Sequence, residues 1–238
     1  MYRQLSLFEL PYTEPAFQEP SATTATVIEL FAGAGGLALG LEKAGLGAKA
    51  LIEIDKDAVA TLRHNRPEWN VIHDDISKVS FEGMSADIVT GGFPCQPFSY
   101  AGKSLGFEDT RGTLFYEFAR CIKQVQPKLF LAENVKGLIN HQKGKTLKTV
   151  LSVLESLGYN IQYSLLNAVN YDVPQKRERV IIVGTRPGIR FQYPAPSPKI
   201  LTLRDALKDV PPSQGMKYSP KRAAVLAQVP PGGCWRDL

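Results

Sequence analysis

A chain of 238 residues is long enough to bury one substantial core with appendages. Only Cys95, Cys121 and Cys234 are present, an odd and sparse set that excludes a disulfide framework and fits a reducing, cytoplasmic setting. The net charge of +5 is carried by the tail, since residues 187–238 hold eight Lys/Arg against three Asp/Glu. A basic extension on a balanced remainder suggests a polyanionic partner such as nucleic acid, although a solvated basic surface is the more common explanation of any single cluster.

The first 25 residues mix Pro11, Pro15 and Pro20 with polar residues and lack periodicity, which predicts a mobile arm over 1–25. With Glu9, Pro11 and Glu14 ahead of any long apolar run, this end has the shape neither of a signal peptide nor of a membrane span. From Thr26 onward, apolar runs of strand length alternate with amphipathic stretches of helix length. Strands are expected over 26–31, 50–54, 88–90 and 129–132, and helices over 37–44, 57–65, 114–125 and 147–157. The β-α-β-α order predicts an α/β domain over 26–186, with a mainly parallel sheet covered by helices on both faces. Residues 161–166 and 179–184 have no helix between them and predict a terminal antiparallel hairpin of the same sheet. Nine of the 17 prolines fall after Arg186, so residues 187–238 form a Pro-rich basic extension with one short helix over 201–207.

Chemistry-bearing residues gather at the ends of the expected strands. In Gly91-Gly92-Phe93-Pro94-Cys95-Gln96-Pro97, two prolines stiffen the loop and two glycines allow close approach, so the sulfur of Cys95 is aimed rather than merely packed. The plainer reading is a small buried hydrophobe. Glu29-Leu30-Phe31-Ala32-Gly33-Ala34-Gly35-Gly36 lies where the first strand turns into a helix, the place at which doubly wound sheets bind the adenosine part of a cofactor. Glu53 ends the second strand and can accept hydrogen bonds from ribose hydroxyls, and Asp75 follows the third and can meet an adenine amino group. Glu133 and Asn134 follow the strand over 129–132 and so emerge at the same sheet edge as Cys95, the first as an acid and the second as a brace. In extended chain Arg177 and Arg179 share a face and can grip a phosphate or a base carbonyl. Each of these groups also has a structural reading, as a tight turn, a strand-end cap or an exposed charge.

Taken in order, Phe31-Ala32-Gly33, Asp75-Ile76, Gly92-Phe93-Pro94-Cys95-Gln96, Gly106 to Leu114, Glu133-Asn134-Val135 and Gln175 to Arg179 resemble the cytosine-C5 DNA methyltransferases. The resemblance implies a Rossmann-like class I fold dependent on S-adenosylmethionine, and methylation of carbon 5 of a cytosine flipped out of double-stranded DNA. It implies that Cys95 attacks carbon 6, that Glu133 stabilises the protonated ring nitrogen 3, that Arg179 holds the cytosine carbonyl, that Arg177 supports phosphates, and that Asn134 keeps the loop in place. For S-adenosylmethionine it implies Phe31, Gly33, Gly35, Glu53, Ile54, Asp75, Ile76, Pro94 and Leu114, with Ile54 standing where some members carry an aromatic that stacks on adenine. Residues 96–111 look like the family's closing loop. No metal site is read from the sequence.

In that family a separate variable domain reads the DNA sequence and an asparagine-containing motif near the C-terminus completes the cofactor site. Residues 218–238 resemble only the lead-in to that domain. The expectation is therefore the catalytic subunit of a split, heterodimeric bacterial modification methyltransferase, nucleoid-associated in the cytoplasm and set in a restriction–modification system, with a second subunit supplying target recognition. The alternatives are a truncated chain, an RNA cytosine-C5 methyltransferase, and a non-catalytic DNA- or partner-binding fragment. In the arm, Gln4-Leu5-Ser6-Leu7-Phe8 looks like the short peptide that docks bacterial proteins into the replication sliding clamp, with Leu7 and Phe8 as anchors.

Overall fold

Alternating valine, isoleucine and leucine runs build the centre of the molecule, a seven-stranded sheet. The structure, a computed structural model, describes residues 25–94, 114–210, 216–230 and 232–237. In chain order the main elements are β1 (Thr26–Leu30), α1 (Gly36–Lys43), β2 (Gly47–Glu53), α2 (Lys56–Asn65), β3 (Val71–His73), β4 (Ile88–Gly91), α3 (Leu114–Val125), β5 (Leu129–Val135), α4 (Gly137–Asn140), α5 (Lys145–Ser156), β6 (Asn160–Asn167) and β7 (Glu178–Thr185). The strand order is β3-β2-β1-β4-β5-β7-β6. Strands β1 to β5 pair in parallel, while β7 lies antiparallel between β5 and β6. The expected terminal hairpin thus forms, with its second strand inserted inward.

Helices cover both faces because the central strands β1, β2 and β4 carry continuous buried runs. On one face Ala38 of α1 and Val59 and Leu62 of α2 pack with Leu51 and Val71. On the other, α3 and α5 bury Phe115, Phe118, Ile122, Val150 and Leu154 against Ile28, Leu30, Val89, Phe130 and Ile182. Helix α3 is held by an aromatic stack in which Phe93 lies 5.2 Å from Phe115 and 5.7 Å from Phe118, centroid to centroid. That stack fixes the chain leaving β4. Helix α2 starts cleanly because the Asp55 carboxylate accepts from the N–H groups of Asp57 and Ala58.

The chain order reverses between β1 and β4. The two strands stay paired to their last residues, Leu30 opposite Gly91, and the reversal makes their carboxyl ends the topological switch point of an open α/β sheet, outside which the ligand crevice of such sheets lies. Two segments reach it: the turn from Phe31 to Gly35, and Gly92-Phe93-Pro94 after β4.

Two local differences from the sequence-based expectation bear on function. Strand β5 does not end at Ala132 but continues to Val135, because β7 pairs with it as far as Val135 opposite Arg179. Glu133 and Asn134 therefore lie within the strand and point to opposite faces. In the extension, the expected helix is the single turn α6 (Leu203–Ala206), closed by a capping box between Thr202 and Asp205. A second helix, α7 (Pro220–Leu226), was not anticipated; Ser219 caps it and Pro220 opens it. Residues 4–8, the expected clamp peptide, lie outside the described residues, as do Cys95 and residues 96–113. Among the described residues no helix is long and apolar enough to cross a membrane.

Candidate active site

Strand β5 supplies an acid to one face and an amide to the other. Glu133 Oε1 accepts from Arg179 Nε at 2.7 Å, and the two side chains are 30% and 25% exposed, so the pair is reachable from solvent. The same carboxylate closes over the backbone of Gly92, where an added Cβ would sit 3.1 Å from Glu133 Oε2. Glycine is needed at that position for close approach rather than for an unusual φ. Asn134 is buried, and its Nδ2 donates to Phe93 O at 2.8 Å while its Oδ1 accepts from Val135 N. Gly92 and Phe93, which precede Pro94-Cys95 in the chain, are therefore held by β5 on one side, with Phe93 held by the Phe115 and Phe118 rings on the other. Pro94 is exposed and Cys95 itself lies outside the described residues.

Arg179 also donates through Nη1 to Glu178 O at 2.9 Å. Arg177 lies one residue ahead of β7 with an exposed side chain, and its backbone N–H is fixed by Asn167 Oδ1. On the neighbouring side, Lys136 and Glu178 form an ion pair at 2.9 Å that joins the ends of β5 and β7. Sequence reasoning did not single out this pair, nor the contact of Gly92 with Glu133, because both depend on register across strands far apart in the chain.

The second half of the crevice lies at the end of β1. Phe31 and Gly33 have φ of 58° and 54° and Gly35 has φ of 86°, so the turn is left-handed at three of five residues. For a phenylalanine this is uncommon backbone, and it occurs where the chain must turn sharply into α1. A Cβ at Gly33 would meet nothing within 4 Å, so open space lies above it, whereas at Gly35 it would strike Leu62 and Trp69. Gly35, the N-cap of α1, has no side chain to cap it, and within the first turn the buried Glu29 carboxyl accepts from the backbone of Ala38.

Glu53 ties this turn to β2. Its Oε2 accepts from Gly33 N at 2.7 Å, and its Oε1 accepts from Ile54 N and Asp55 N. One lone pair remains on Oε2 for a further donor. Ile54 beside it is 63% exposed, an apolar shelf at the crevice edge. Asp75 caps the 3-10 turn over Ile76–Lys78, and the Ser77 backbone N–H and hydroxyl together hold its carboxyl below the usual range. Ile76 is buried in the core and Leu114, half-buried, opens α3. Burial pushes the thiol of Cys121 far above its ordinary range, so it offers no thiolate.

The strand order, the glycine turn at the end of β1 and an acid at the end of β2 define the class I S-adenosylmethionine-dependent methyltransferase fold. A solved protein encoded within an Escherichia coli prophage and described as a DNA modification methyltransferase superposes with a TM-score of 0.65 at 29% identity, over 79% of this chain and 56% of that one.

The pattern for C-5 cytosine-specific DNA methylases matches residues 25–228, and the chain belongs to that family. It is 57% identical over 227 residues to the type II methyltransferase M.Eco47II of Escherichia coli, covering 90% of this chain and 54% of that protein. It is 53% identical to M.PspPI of Psychrobacter, covering 98% of this chain and 59% of that protein. The chain thus spans a little over half the length of these relatives.

Proposed function

We propose that this chain transfers a methyl group from S-adenosylmethionine to carbon 5 of a cytosine in double-stranded DNA, with Cys95 as the nucleophile. The observation that carries this reading is the Glu133–Arg179 pair packed against Gly92, three residues before Cys95. Carbon 5 of an aromatic ring is a poor nucleophile until the ring becomes an enamine. Cys95 Sγ, as the thiolate, forms a bond to carbon 6 and pushes the ring electrons toward carbon 5 and nitrogen 3. Glu133 holds the proton at nitrogen 3 and so neutralises the charge moved into the ring. Arg179 keeps N–H donors beyond those it spends on Glu133 and Glu178, and these suit the cytosine carbonyl. The cofactor supplies the methyl group as an electrophilic carbon on a sulfonium. Once carbon 5 has taken it, loss of the carbon 5 proton to a base re-forms the ring double bond and expels the sulfur as thiolate. The target base must leave the duplex stack for any of this to occur.

Open space above Gly33, the free lone pair of Glu53 and the apolar shelf of Ile54 all favour an adenosyl amino acid in the crevice. Phe31, Gly33, Gly35, Glu53, Ile54, Asp75, Ile76, Pro94 and Leu114 would hold it. Asn134 positions the Cys95 loop through Phe93 O, and exposed Arg177 faces DNA phosphates. Target recognition is assigned to a segment or subunit that covers the exposed Leu203, Leu207 and Met216 of the basic extension.

The test is trapping with a duplex carrying 5-fluorocytosine opposite a mismatch, which lowers the cost of extruding the base. Fluorine at carbon 5 blocks the final elimination, so the expected result is a covalent adduct that requires S-adenosylmethionine and is absent in Cys95→Ser. No adduct with wild type, alone and with a recognition subunit, overturns the proposal.

A further inference from the structure

Arg120 lies in the second turn of α3, and its guanidinium is spent on several partners at once. Its Nη2 donates to Ile76 O at 2.7 Å and its Nη1 to Val79 O at 3.0 Å. These are the carbonyls at the two ends of the turn that Asp75 caps. Its Nε donates to Glu117 Oε2 at 2.7 Å, one helical turn earlier, and the guanidinium carbon stands 4.9 Å from the centre of the Phe81 ring. The side chains of Arg120 and Glu117 are 27% and 18% exposed. A planar fork held by a carboxylate behind it and a ring beside it loses little entropy in bridging two carbonyls. Together with the burial of Ile76, Val79 and Phe81, this fork fastens the turn to α3.

We infer that Arg120 is a positioning residue of the cofactor site, a strut that sets the Asp75–Ile76 segment from α3. The inference rests on the cofactor reading above and deepens it. The Asp75 side chain is committed to Ser77, so it reaches a ligand only in the place where its turn is held. Helix α3 begins at Leu114, itself among the residues assigned to the cofactor, so one rigid element carries both Leu114 and the arginine that holds the turn. Arg120 touches neither substrate nor reacting atoms. It acts through the turn.

The experiment measures S-adenosylhomocysteine binding to the whole chain by calorimetry, beside a thermal melt. Arg120→Lys keeps the charge but cannot span two carbonyls, and is expected to weaken binding about tenfold, roughly 1.4 kcal/mol, which is one charge-assisted bond lost. Arg120→Met is expected to weaken it further, and Glu117→Gln, which loosens the fork without removing it, about threefold. Tyr159→Phe is the control for simple loss of stability. It removes the buried hydroxyl bond to Pro127 O at the opposite edge of the sheet, and is expected to lower the melting temperature with unchanged affinity. Binding by Arg120→Lys within twofold of wild type overturns the inference, as does an equal loss in Tyr159→Phe. Failure of the wild-type chain to bind the probe overturns the cofactor-site reading instead. Should the Arg120 variants fail to fold, Glu117→Gln alone decides the matter.

Discussion

Replacing Glu29 by glutamine probes a carboxyl that the fold buries beneath α1. Glu29 is 3% exposed in the middle of β1, and the small cavity around it is lined by Val27, Ala38, Leu41, Leu46, Ala48, Ala50 and Leu51, none of them ionisable. Its neighbour in register on β4 is Thr90, and Glu29 Oε2 and Thr90 Oγ1 are the two buried side-chain oxygens left without a partner among the described residues. Desolvation raises the carboxyl from 4.5 to about 8, opposed only by the bond it accepts from the backbone of Ala38. The folded state therefore prefers the neutral acid and the unfolded state the anion at any pH between those values. A raised pKa of this kind contributes stability fully below pH 4.5 that is lost as pH rises through about 8. At about 1.4 kcal/mol per unit, wild type loses on the order of 3 kcal/mol between pH 5 and pH 7 from this group. Glutamine has the same shape and no charge to lose. Urea denaturation of both proteins at pH 5, 6, 7 and 8 should show Glu29→Gln gaining on wild type at each step, with the difference levelling above pH 8. A stability difference that does not change with pH would refute the reasoning.

Asn134→Ala leaves Phe93 O without its donor inside the protein, at an expected cost of about 1–3 kcal/mol. Because the lost bond holds the approach to Cys95, turnover measured at saturating DNA and cofactor should fall while the Michaelis constant for the cofactor changes little. Gly184→Ala places a methyl group directly into the ring of Phe130, across the β5–β7 pair. Overpacking of that kind costs about 1–3 kcal/mol and should appear as a lower melting temperature, with unaltered cofactor binding because the collision lies at the far end of the sheet.

Element type was legible wherever periodicity alone decides it. The strand at Thr26, the helix from Leu114 and the antiparallel close of the sheet all follow from runs of apolar residues and their spacing. Boundaries set by pairing were not. Strand β5 runs through two polar residues, Glu133 and Asn134, because β7 continues to offer hydrogen-bonding partners, and no local propensity encodes a partner 46 residues away. Helix α7 was hidden by its setting, since a proline-rich stretch reads as loop until Ser219 and Pro220 are seen as cap and first turn. Arg120 carried no signal at all: on a helical wheel it is one more charge on the polar side of an amphipathic helix. Its meaning comes from two carbonyls more than 40 residues earlier.

The candidate site shows why motif residues are the easy part of such a reading. Glu53, Glu133 and Asp75 each spend their carboxylates on backbone or arginine donors nearby, so each is a structural group as well as a binding one. That double use explains the geometry. A carboxylate satisfied on one side is held in place at no extra entropic cost when a ligand arrives on the other, which is the preorganisation that catalysis requires. Glu29 is the counter-case, an acid in the same strand system with a burial that keeps it neutral and no opening through which a ligand could reach it. The sheet edge therefore sorts its acids by access. Those at strand ends stay where a ligand can reach them, and the one in mid-strand trades stability at neutral pH for a fixed position of β1 under α1, whose amino end forms one wall of the crevice.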